Sequence, residues 1–253
     1  MNSGYADATI QQCLDMTVAL DFSENYSDPD SEIQRLDRVA GWRMKVPGDE
    51  SGIREFLGTV KKSGTHGSQF QYCSSNTDVL AWVLEEVLQR PYPEIVSENL
   101  WAPIGAEREA IITLDALGAP LANGGILATT RDLARIGRLI LDRGTVGGNE
   151  LVHPGWIDAT YTGAEARVRS VDYLQALHPG GSYKNQWWIT NNEDQEIYAV
   201  GIYGQYLWVN RTTRTVIVKY STLPVAVSAE YSQRHIDLFK ALSRKHRPSE
   251  LVD

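Results

Sequence analysis

An α+β fold is expected, on three observations. Apolar residues recur at helical spacing through the first two-thirds of the chain, the pattern turns to period two after about residue 185, and one further amphipathic segment closes the sequence. The first helix should open at Asp7, with Ile10, Leu14 and Val18 on one side. Residues 21–30 are rich in turn formers, and a short helix bearing Ile33, Leu36 and Ala40 should follow. A second stretch, Ser51 to Val60, aligns Ile53, Phe56, Leu57 and Val60, and residues 61–67 form a loop.

The strongest periodicity lies in Asn76–Leu88. Val79, Leu80, Val83, Leu84, Val87 and Leu88 make a wide apolar face, which predicts a buried helix. Farther along, a glycine turn at Asn123-Gly124-Gly125 leads to a threonine N-cap, and a helix from Asp132 to Arg143 should bury Leu133, Ile136, Leu139 and Ile140 before Gly144 stops it. Three strands are predicted over Asn185–Thr190, Ile197–Asn210 and Arg214–Ser221, as an antiparallel meander. The last helix, Ser228 to His246, should pack through Tyr231, His235, Leu238, Phe239 and Leu242. Residues 1–180 thus read as a mostly helical lobe, and residues 181–253 as an antiparallel sheet with a covering helix.

Composition limits the function. A formal net charge of −8 leaves no basic footprint for nucleic acid. No apolar run reaches the length of a membrane span, and the first residues carry no basic or apolar leader, so the chain as written is expected in the cytoplasm. Cys13 and Cys73 lack the spacing of a zinc site, and the five histidines are scattered. No metal or cofactor is expected. A phosphate loop, a dinucleotide fingerprint and a Gly-x-Ser-x-Gly elbow are all absent; the nearest approach to the last, Gly180-Gly181-Ser182-Tyr183-Lys184, opens a strand.

What remains is a series of motifs in order. Tyr72-Cys73-Ser74 stands before a strong helix, Gly124-Gly125 precedes Thr129-Thr130-Arg131-Asp132-Leu133, and Gly201-Ile202-Tyr203-Gly204-Gln205 lies in the strand-rich region. These resemble the second motif, the connecting segment and the third motif of the serine β-lactamase and penicillin-binding-protein superfamily. Leu14-Asp15-Met16-Thr17, Asp21-Phe22-Ser23-Glu24, Ser75-Asn76-Thr77-Asp78 and Ser182-Tyr183-Lys184-Asn185-Gln186-Trp187-Trp188 narrow the resemblance to hydrolases of aminohexanoate oligomers and their esterase relatives.

The resemblance implies a β-lactamase-like fold and hydrolysis of a small-molecule amide or ester through an acyl-serine. It makes Tyr72 a proton-transfer group and the Ile202 backbone N–H an oxyanion donor. Tyr26, Asp37, Asn123, Tyr203 and Gly204 would meet the substrate, Asp37 by pairing with an ammonium. Blander readings stand beside these: Tyr26 as a loop aromatic, Asp37 as a solvated helix charge, Ile202 and Tyr203 as core residues of a strand.

One departure is decisive. The family's nucleophile and base come from a Ser-x-x-Lys at a helix start, and no serine of this chain has a lysine three positions on. The chain therefore reads as the C-terminal portion of such a hydrolase, a partial domain without the first strands and the nucleophile helix, and inactive alone. Self-association through an exposed sheet edge would follow. Two other readings remain open: a non-catalytic small-molecule-binding protein that retains the cleft, and hydrolysis from Ser74 or Ser75, beside which the sequence shows no base.

Overall fold

The computed structural model describes residues 3–162 and 180–245. Its contacts separate two compact units, Met1–Ala102 with Arg108–Ala128, and Pro103–Glu107 with Thr129–Asp253.

In the first unit, helix α1 (Ile10–Leu14) starts at a capping box in which Thr9 accepts from the Gln12 N–H and the Gln12 side chain accepts from Thr9. The helix is shorter than its periodicity suggests, because Asp15 caps it and Met16 turns left-handed at φ 53°. Val18 is fully buried all the same, on the segment that enters strand β1 (Leu20–Asp21). Helix α2 (Glu32–Val39) is capped by Ser31 and α3 (Ile53–Thr59) follows. The expected apolar positions Ile33, Leu36, Ile53, Phe56, Leu57 and Val60 all enter one core with Phe22, whose ring meets Phe56 edge-on at 6.3 Å. Strand β2 (Lys61–Lys62) pairs antiparallel with β1, inside the expected loop.

Helix α4 (Ser75–Leu88) corrects a sequence expectation. Its buried residues are Ser75, Asn76, Asp78 and Ala81, whereas Leu84, Val87 and Leu88 are 42%, 72% and 47% exposed. The helix buries its first turn and Ala81 and packs Val79 and Leu80, partly buried, against the core, while the C-terminal end of the apolar face stays exposed. Helix α5 (Tyr92–Val96) and a π-helical turn (Ser97–Trp101) come next, and strands β3 (Ile111–Ile112) and β4 (Ile126–Leu127) pair around the Asn123 turn.

The second unit contains the sheet. Helix α6 (Thr130–Leu141) begins where Thr129 accepts the Asp132 N–H at 3.1 Å and ends at Gly144, whose N–H donates to the Leu139 carbonyl at 2.8 Å. Strands β5 (Thr145–Val146) and β6 (Asn149–Glu150) form a small hairpin, and α7 (Pro154–Tyr161) follows. Then β7 (Ser182–Lys184), β8 (Trp187–Ile189), β9 (Glu196–Gly201), β10 (Gln205–Asn210) and β11 (Thr215–Lys219) make one antiparallel meander in the order β11-β10-β9-β8-β7.

One expected strand, Ile197–Asn210, is thus a hairpin, and another, Asn185–Thr190, begins in a turn and holds only β8. Asn185 and Gln186, at φ 51° and 70°, turn the chain between β7 and β8. Ile202-Tyr203-Gly204 does the same between β9 and β10, with Tyr203 and Gly204 at φ 61° and 84°.

Both faces of the sheet are covered, which explains its near-continuous apolar runs. Leu207 and Val209 join Ile197 and Ile189 in a core shared with Ile140 and Leu141 of α6. Gly137 lets α6 approach, since a Cβ there would stand 2.5 Å from Val216. The alternate residues Tyr206 and Trp208 meet Phe239 of α8 (Ala229–Lys245) at ring distances of 5.3 and 5.7 Å. Helix α8 buries Ile236, Phe239 and Ser243, while Leu238 and Leu242, expected on its packing face, are exposed. His246 lies outside the described residues. Among the described residues, no helix is long and apolar enough to cross a membrane.

Candidate active site

The first turn of α4 collects polar side chains from four parts of the first unit. Glu24 comes from the turn-rich segment after β1. Its carboxylate accepts from the Ser74 backbone N–H and, at 3.2 Å, from the Ser74 hydroxyl. It also accepts from the Tyr26 hydroxyl at 2.8 Å. An acidic group at this helix start is favoured by the unpaired N–H groups and the helix dipole. Burial nevertheless raises the Glu24 pKa above the usual carboxylate value, and the Ser74 and Tyr26 donors oppose that shift. The Tyr26 hydroxyl is pushed far above its ordinary range by burial first, then by the charges of Glu24 and Tyr72.

Tyr26 is therefore close enough to both Glu24 and Tyr72 to feel their charge. Tyr72 is half-buried, directly before the helix start. Asp37, on α2, also acts electrostatically on Glu24. Its own carboxylate is raised by burial and pairs with the Arg43 Nε at 3.2 Å. Asp37 thus already holds a cation, on a helix residue with 16% of its side chain exposed.

Asn123 is tied to the same helix through Asp78. The Oδ1 of Asp78 accepts the Ala122 and Asn123 backbone N–H groups at 2.8 and 3.1 Å, and its Oδ2 accepts the Asn123 side-chain NH2 at 2.6 Å. Burial lifts the Asp78 carboxyl to about 7 against the pull of these donors. Trp42, 46% exposed, lies beside this turn: its indole N–H donates to Thr113 Oγ1 at 3.2 Å, and a Cβ on Gly124 would stand 3.9 Å from its ring.

Four of the sequence-derived positions, Tyr26, Asp37, Tyr72 and Asn123, belong to this unit. The other three belong to the second unit, on the turn between β9 and β10 and not within a strand. There the Tyr203 N–H donates to the Ala226 carbonyl at 2.9 Å, and the Tyr203 carbonyl accepts from the Leu223 N–H at 3.1 Å. The Gly204 carbonyl accepts from Lys219 Nζ at 3.0 Å, and a Cβ on Gly204 would stand 2.7 Å from the Leu223 side chain.

Sequence reasoning missed Glu24, Asp78 and Trp42. Glu24 also supplies the base beside Ser74 that the sequence did not show, but it is already shared among three donors. Ser75 is fully buried and bonds Tyr5 and Cys73 at 2.7 and 3.0 Å.

A family model described as Beta-lactamase matches residues 2–240. The chain belongs to the β-lactamase family. It is 44% identical over 222 residues to the 6-aminohexanoate-dimer hydrolase of Paenarthrobacter ureafaciens, covering 88% of this chain and 56% of that protein. Among solved structures it is similar to a candidate 6-aminohexanoate-dimer hydrolase from Bacillus anthracis, at 27% identity and a TM-score of 0.83 over 98% of this chain and 64% of that one. The octameric penicillin-binding protein homologue from Pyrococcus abyssi shares the fold, at 17% identity and a TM-score of 0.61 over 94% of this chain and 57% of that one. The β-lactamase-family chain thus spans between a half and two-thirds of the length of these relatives, and it is a 6-aminohexanoate-dimer hydrolase-like member.

Proposed function

We propose that this chain carries the tyrosine and substrate-binding side of a serine hydrolase that opens amide or ester bonds in short aminohexanoate-type oligomers. The observation that supports this most is the polar cluster at the start of α4, where the Tyr26 hydroxyl donates to Glu24 and lies in the field of both Glu24 and Tyr72. Resemblance gives Tyr72 the proton transfer and the Ile202 N–H the oxyanion, with Tyr26, Asp37 and Asn123 on the substrate. A tyrosine does this work only if a neighbouring positive charge lowers its pKa from about 10. The lysine that would tune it, and the serine it would serve, are absent from these 253 residues and belong to the whole protein's activity in this proposal.

These residues on their own therefore bind without turning over. The test is the intact mass of the purified chain after a fluorophosphonate serine probe, together with its melting temperature in the linear amide dimer of 6-aminohexanoate. No adduct and a ligand-dependent rise in melting temperature are expected, since a ligand that binds only the native state stabilises it. A single adduct on a chain of this mass would overturn the assignment and place a nucleophile at Ser74, beside Glu24. No rise with any amide or ester would remove the binding role.

A further inference from the structure

We infer that Gln71 is a positioning residue: its side-chain amide takes the edge of β1 that β2 leaves, and so holds Glu24 and Tyr26 against Tyr72 and Ser74. That role rests on the reading of this cluster as the site. Two stretches of chain meet there, residues 16–24 and residues 66–74.

Strand β1 pairs with β2 through Leu20↔Lys62 and Asp21↔Lys61, and the Ser63 N–H adds a rung by donating to the Ala19 carbonyl at 3.1 Å. Backbone groups of successive strand residues point to opposite edges, so those of Leu20 face away from β2. Gln71 takes both. Its Oε1 accepts the Leu20 N–H at 3.1 Å, and its Nε2 donates to the Leu20 carbonyl at 2.8 Å and to the Phe22 carbonyl at 3.1 Å. Only one orientation of the amide fits, since turning it over would set NH2 against N–H and oxygen against two carbonyls. The Gln71 backbone is itself anchored, its N–H donating to the Met16 carbonyl at 2.7 Å. A single side chain thus stands in for a third strand.

Both ends of this clamp lead straight into the cluster. Phe22, which is buried, comes two residues before Glu24, and Gln71 stands directly before Tyr72. Glu24 accepts from the Ser74 N–H and the Tyr26 hydroxyl, and Tyr26 feels the charge of Tyr72. The intervening Ser23 is held from the other side, by α2: its N–H donates to Glu32 Oε2 at 2.9 Å, and its carbonyl accepts the Ile33 N–H at 3.2 Å. Without the Gln71 amide, residues 20–24 keep their attachments to β2 and α2 and lose their tie to the residue before Tyr72. Glu24 then draws back from Ser74.

The experiment is a pH titration of the backbone amide signals by nitrogen–proton correlation NMR, on the 253-residue chain as wild type and as Gln71→Met. It runs from about pH 8.5 to about pH 4, across the range in which raised carboxyls take up their protons. Met is an unbranched side chain without the amide's donors. In the wild type the Ser74 amide should shift as Glu24 gains its proton, and the Ala122 and Asn123 amides should shift with Asp78, whose carboxyl lies at about 7. In Q71M the Ser74 response should be lost while Ala122 and Asn123 keep theirs. A merely structural role would disturb both sets of signals together, and that outcome overturns the inference. A Ser74 response that survives in Q71M, or that is missing from the wild type, overturns it as well. Should Q71M not unfold cooperatively, Gln71→Asn, the same amide drawn back by one methylene, is read in the same way. Failure of both variants to fold makes Gln71 a structural residue and ends the assignment. The binding role is judged apart from this comparison, by the melting temperature of the wild type in ligand.

Discussion

The start of α4 and the five-stranded sheet are both buried, but by opposite kinds of side chain. In the sheet, rings run from strand to strand: Tyr183 to Trp188 at 4.8 Å, Trp188 to Tyr198 at 6.4 Å, Tyr198 to Trp208 at 5.3 Å. At the start of α4 the buried residues are Ser75, Asn76 and Asp78, and Asn76 keeps an unpartnered Oδ1. The first arrangement gains from apolar burial and ring contact. The second gains little, because desolvation of Glu24 and Asp78 offsets much of their hydrogen bonding. Polar burial that stabilises weakly is what marks the start of α4 as a candidate site beside the core.

The contrast is tested most severely at Trp208, which is fully buried between Tyr198 and Phe239. Trp208→Ala should cost about 4 kcal/mol, from lost burial and the cavity left behind. A urea titration followed by tryptophan fluorescence reads it. A loss under about 1 kcal/mol would mean that the sheet is not held by its rings.

Glu24→Ala should cost less, about 2 kcal/mol. It strands the Ser74 N–H at the helix start and frees the Tyr26 hydroxyl, but it also removes a carboxylate whose burial is itself unfavourable. The same titration measures it. A cost equal to that of Trp208→Ala would make the polar cluster a structural centre in its own right.

The sequence made the helical core of the first unit easier to foresee than the site. Ile33, Leu36, Ile53, Phe56 and Leu57 were placed by spacing alone, because helix periodicity is set by the core they enter. The turns at Ile202-Tyr203-Gly204 and Asn185-Gln186 escaped, the first because Ile202 and Tyr203 continue the apolar run of their strands, the second because it carries neither Gly nor Pro to mark it. Within the site, Tyr26, Asp37, Tyr72 and Asn123 were legible only through resemblance. Glu24 and Asp78 were not, because nothing in their spacing separates them from the other carboxylates of an acidic chain. What sets them apart is the donors folding brings to them.

Acid should separate the two regions in a smaller way. The folded Asp78 carboxyl, lifted to about 7 by burial, holds its proton more tightly than the unfolded chain does. Below about pH 4 both states are protonated and the group is neutral in its effect. As pH rises from there to about 7, the unfolded chain ionises first, so stability falls, by at most about 1.4 kcal/mol per pH unit. Above that range the loss is complete and the slope ends. Asp158 in the second unit behaves in the opposite sense, because Arg143 and Arg211 hold its carboxyl below the ordinary value. Urea midpoints of the wild type and D78N between about pH 4 and 8 should therefore converge toward the acid end. Parallel curves would show that Asp78 does not titrate in that window.

The smallest effect is expected where the sequence expected a large one. Val87 belongs to the apolar face of α4 that the periodicity marks as buried, yet it is 72% exposed. Val87→Glu should change stability by no more than about 0.5 kcal/mol, the usual range for a surface position. Loss of a β-branched residue from a helix works slightly in its favour. Ala81, on the same helix and 1% exposed, supplies the contrast: Ala81→Glu should destabilise severely by forcing an unpaired carboxyl into the core. Equal damage at both positions would restore the apolar face as the packing face. A silent Val87 with a damaged Ala81 would show that α4 is anchored by the small residues and the polar turn that present Asp78 to Asn123.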